Sequence, residues 1–98
     1  VPYTDPGVHL ARAIAAGVKE YMERHGEAPR IILLQNHGII GLGGSPAGVM
    51  ASLMMAEKAA KIFVGAAALG GPVFLTPENV ARISGRSDEH YRRKVLKL

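Results

Sequence analysis

The sequence contains no cysteine. That excludes a disulfide framework and a thiolate zinc site, and it fits a cytoplasmic setting. No signal peptide is legible. The longest nearly apolar stretch, residues 49–69, is interrupted by Glu57, Lys58 and Lys61. A bilayer span needs about 20 predominantly apolar residues with few or no charges, so no membrane partner is expected. Several chemical motifs are also missing. There is no His-x-His, no His-Glu-x-x-His and no Gly-x-Ser-x-Gly, so the usual zinc-protease and serine-nucleophile arrangements are absent. The chain opens on Val1 rather than methionine, which reads as a processed chain or a fragment.

What is present makes one small domain. The 98 residues are 48% hydrophobic, too apolar for a disordered tail and enough for a modest core. The net charge is +4. The tail carries the excess through Arg82, Arg86, Arg92, Arg93, Lys94 and Lys97, set against Asp88 and Glu89. Cations in a last helix suit its negative C-terminal end. Only Tyr91 could stack on a base there, and no nucleic-acid partner is expected.

The elements follow from local signals. Asp5-Pro6 reads as the cap and first residue of a helix with an apolar stripe of Leu10, Ile14, Val18, Tyr21 and Met22, stopped by Gly26. Ile31 to Leu34 is a continuous apolar run after Pro29, which predicts a strand covered on both faces. Ile39 to Leu42 is a second such run. Ser45-Pro46 opens a long helix to about Leu69, with Met50, Leu53, Met54, Ala60 and Val64 as its expected buried stripe. Gly70-Gly71-Pro72 ends it. Val73 to Leu75 is an extended connector. Thr76-Pro77 starts a third helix ending near Gly85, and Ser87 is expected to cap a fourth, with Asp88 and Glu89 in its first turn.

Two stretches carry candidate chemistry. "GLGGSP" lies between strand and helix, where backbone N–H groups bind phosphate. Its pattern fails, because Pro46 occupies the third glycine position of a dinucleotide fingerprint and no Gly-Lys-Ser/Thr follows. It reads as a tight turn. The other is "QNHG", residues 35–38. His37 is anchored on both sides by apolar runs, whereas His9, His25 and His90 lie at helix ends. Taken alone, His37 is open to three readings: turn residue, satisfied core histidine or ligand presented on a rigid scaffold.

The order of elements narrows this. "PYTDPGVHLARAI", then "ILLQNHGIIGLGGSP", then a long alanine-rich helix with Glu57 and a closing "LGGPVFLTPENV" together resemble the class II aldolase/adducin family. The resemblance covers nearly the whole chain and looks like the C-terminal portion of that family's domain. It implies an α/β fold, a partial three-layer α/β/α sandwich with two or three strands and about four helices across residues 1–98. It also implies that His37 is one of three histidines holding a divalent metal, usually zinc. The other two, from an upstream His-x-His, have no counterpart here, nor has the family's catalytic acid. No catalytic or cofactor-binding residue carries over, and the Pro6-Gly7, Gly38 and Glu57 matches read as structural. Family members cleave sugar phosphates by retro-aldol chemistry, the metal polarising a ketose carbonyl. Relatives epimerise or dehydrate sugar phosphates, and adducins bind the cytoskeleton without chemistry. A homo-oligomer is the implied assembly. A lone histidine would hold metal poorly. A quarter of a four-ligand site's about 10–16 kcal/mol is roughly 3–4 kcal/mol, about millimolar or worse.

Overall fold

The first apolar run forms strand β1, Ile31–Leu34, and the second forms β2, Gly38–Gly41. They pair antiparallel, with Ile31 opposite Gly41 and Leu34 opposite Gly38. This leaves a loop of Gln35, Asn36 and His37. The His37 N–H donates to Leu34 O at 3.0 Å and closes the turn. Asn36 takes φ 59°, the positive value a type II turn needs at its third position. Asparagine tolerates that region better than other side chains, because its short amide can bond locally. The computed structural model describes residues 1–96. Lys97, counted above in the basic tail, lies outside the described residues.

The chain forms two units, Val1–Leu42 and Gly43–Leu98. In the first, residues 1–4 run along the free edge of β1. The Val1 ammonium donates to Leu33 O at 2.8 Å, and Gln35 N donates to Val1 O at 3.0 Å. Alternate residues of a strand turn their backbone groups to opposite edges. Leu34 O faces β2, so Leu33 O and Gln35 N face residues 1–4. The ladder then continues through a side chain, with Tyr3 N donating to Gln35 Oε1 at 2.9 Å.

Helix α1 is Val8–His25. It starts two residues later than the Asp5-Pro6 signal predicts. Gly7 sits at its N-cap with φ 108°, a conformation that breaks any helical turn begun at Pro6. Asp5 instead accepts from the Tyr3 hydroxyl at 3.3 Å. The stop is as expected: Gly26 is left-handed at φ 72° and its N–H caps Met22 O. Leu10, Ile14 and Val18 are half-buried. What meets α1 is the first residue of the chain, since a Cβ on Gly17 would lie 3.5 Å from Val1 Cγ2. Neither strand of this unit lies close against the helix.

The second unit opens with α2, Pro46–Ala68, capped as expected by Ser45, whose Oγ accepts from Gly48 N at 3.0 Å. Gly43 folds onto that first turn. A Cβ there would stand 2.6 Å from Val49 N and 2.7 Å from Gly48 C, so only glycine allows the approach. Gly70 and Gly71, at φ 109° and 108°, reverse the chain after α2. The connector then returns along the helix, bringing the Phe74 ring 6.2 Å from that of Phe63. Helix α3, Pro77–Ser84, is capped by Thr76, whose Oγ1 accepts from Asn79 N at 3.2 Å. Helix α4 is Ser87–Leu96, and it packs against α2 and α3. The expected Ser87 cap is displaced by one residue. His90 N donates to Arg86 O at 3.1 Å, which makes Arg86 the capping position. Its guanidinium grips both Asp88 oxygens at 3.0 Å. That bond, more than any other cause, holds the Asp88 carboxyl below the ordinary aspartate range.

Among the described residues, four helices and two strands match the expected mixed α/β content. The expected burial does not follow. No hydrophobic side chain is buried among the described residues. β1 is not covered on both faces, and Leu33 is 66% exposed. The expected α2 stripe is largely open to solvent, with Met50, Met54 and Val64 exposed, Ala60 exposed and Leu53 half-buried. The buried residues of α2 are Gly48 and Ser52. The helix is apolar nearly all round, and such a helix needs cover on several sides. Within its unit, α4 and the 73–75 connector provide cover on a small part of it.

A candidate metal-ligand position at the hairpin tip

His37 stands at the end of the β1–β2 hairpin, exposed. Its backbone is pinned from both directions. Its N–H is bonded to Leu34 O, Asn36 before it is left-handed, and Gly38 after it takes φ 151°. The ring is held as well. Nε2 lies 2.9 Å from Thr4 O. A carbonyl oxygen only accepts, so Nε2 is the protonated nitrogen in this bond. In the neutral ring the lone pair is then on Nδ1. The Tyr3 ring stacks on the imidazole, with centroids 5.1 Å apart and planes at 12°. The Thr4 hydroxyl is shielded from solvent and has no hydrogen-bond partner among the described residues.

A histidine held by a carbonyl on one nitrogen is how metal-ligating imidazoles are usually oriented. As a single ligand, His37 fits. The donor set does not close, however, because no group of three His, Cys, Asp or Glu side chains able to hold a metal occurs among the described residues. The His25 ring lies tilted against that of Tyr21 within α1, with centroids 4.3 Å apart and planes at 38°. Glu57 pairs with Lys61 at 3.0 Å on the exposed surface of α2, a weak surface contact. The glycine-rich turn is a tight strand-to-helix connection. Gly48 N is taken by Ser45 Oγ and Val49 N by Ser45 O.

The roles of Thr4 and Tyr3 escaped the sequence reading. Both lie 33 or more residues upstream of their partner, and no periodicity connects them. The signal that could have found them is the extended Val1–Thr4 stretch before Asp5-Pro6, which has the composition of a short strand.

A family model described as the class II aldolase and adducin N-terminal domain matches residues 1–64. The match takes in the Val1–Thr4 segment, α1, the hairpin with His37 and most of α2. It stops short of "LGGPVFLTPENV", which the resemblance above had included. No curated protein and no solved structure matches. With 64 of 98 residues matched, the chain belongs to the class II aldolase and adducin N-terminal domain family.

Proposed function

We propose that residues 1–98 are the C-terminal portion of a class II aldolase-type domain, a partial three-layer α/β/α sandwich, and that His37 supplies one of its metal ligands. The observation that carries the reading is the fixed imidazole at the hairpin tip, inside the family-matched residues. Two strands brace it, a carbonyl orients it, and one nitrogen is left unclaimed. Zinc suits a neutral imidazole and commonly takes three protein ligands in catalytic sites. A divalent metal so held acts as a Lewis acid toward a substrate oxygen. The substrate class that fits is a sugar phosphate, cleaved by retro-aldol chemistry or, in a sister reaction, epimerised or dehydrated. The exposed apolar faces of β1 and α2 support assembly with further copies.

The test uses the full natural polypeptide that contains this chain. Bound metal is measured by elemental analysis in the wild type and in His37→Ala, alongside cleavage of ketose phosphates. Loss of one ligand of about 3–4 kcal/mol lowers metal affinity by roughly two to three orders of magnitude. Metal content and affinity unchanged by His37→Ala would sink the reading.

A second reading is a non-catalytic, adducin-like interaction module. It is favoured by the open ligand set and by the exposed Met50, Met54, Met55 and Phe63 on α2. It expects oligomerisation or partner binding that His37→Ala leaves intact and that charged substitutions on α2 abolish.

A further inference from the structure

We draw no further inference here: the strongest candidate, the exposed apolar face of α2 around Met50, Met54, Met55 and Phe63, is an unpartnered surface patch, and nothing in the structure shows what covers it.

Discussion

Replacing Gly43 with alanine tests how closely the loop before α2 is seated. The added Cβ would meet Val49 N at 2.6 Å and Gly48 C at 2.7 Å. Carbon contacts are ordinarily about 3.5–4.0 Å, so the two surfaces would have to part by roughly 1 Å. Both obstacles are backbone atoms of a helical turn, and no rotamer change can relieve them. The loop must lift, and Ser45 lifts with it. The Ser45 Oγ bond to Gly48 N, 3.0 Å long, is the contact most exposed to that movement. Overpacking of this kind costs about 1–3 kcal/mol, and loss of a serine cap adds about 1 kcal/mol. The expected penalty on the second unit is therefore about 2–4 kcal/mol. Gly65→Ala is the matched comparison. A Cβ there meets nothing within 4 Å and the backbone is helical, so the same substitution should stabilise by about 0.5–1 kcal/mol. Urea unfolding followed by far-ultraviolet circular dichroism gives the two midpoints. Because the chain has two units, the amide signals of Gly48 and Val49 should be followed by NMR to localise the effect. If Gly43→Ala unfolds at the wild-type midpoint or above, with those amides unmoved, the close-approach argument is wrong.

Three other outcomes follow from the same reasoning. Asn36→Val places a β-branched residue at φ 59° and should destabilise the hairpin by about 1–2 kcal/mol, whereas Asn36→Gly should be near neutral; hairpin amide exchange distinguishes them. Ser45→Ala should cost about 1 kcal/mol and fray the first turn of α2, read by exchange at Gly48. Asp88 has a lowered native pKa caused first by Arg86. Its contribution to α4 is present above the ordinary aspartate value of about 3.9 and disappears as pH falls through the lower native value. Arg86→Gln should raise the Asp88 titration midpoint toward that ordinary value, measured by NMR of its carboxyl carbon.

Much of the secondary structure was written locally. Ser45-Pro46 and Thr76-Pro77 cap helices because serine and threonine oxygens meet the free amides of the first turn, whatever lies elsewhere. Gly26 stops α1 for an equally local reason. The failures came where two local signals competed. Asp5-Pro6 looks like a helix start, but Gly7 interrupts it. Ser87 looks like a cap, but Arg86 in front of it binds Asp88 and takes the position. Burial was misread for a different reason. An apolar residue such as Met54 or Leu33 is fit to be buried, and only a neighbour can bury it. The sequence carries the fitness and says nothing of whether the neighbour is there. The site divided along the same line. His37 at a hairpin tip was legible from its flanking runs, while its hold on Thr4 and Tyr3 depended on residues 1–4 lying beside β1.

The hairpin turn has a consequence for how such a chain can diverge. Asn36 and Gly38 shape the turn, one by tolerating a left-handed backbone and the other by lacking a side chain. His37 contributes an exposed ring whose hydrogen bond is to a single backbone carbonyl. Fold and chemistry are thus encoded in neighbouring but separate letters. A single codon change at position 37 could erase the imidazole and leave the hairpin standing. The reverse loss, at 36 or 38, would take the ring's placement with it. Drift among such chains would therefore run easily from hairpins that present the ring to hairpins that do not, and only with difficulty the other way.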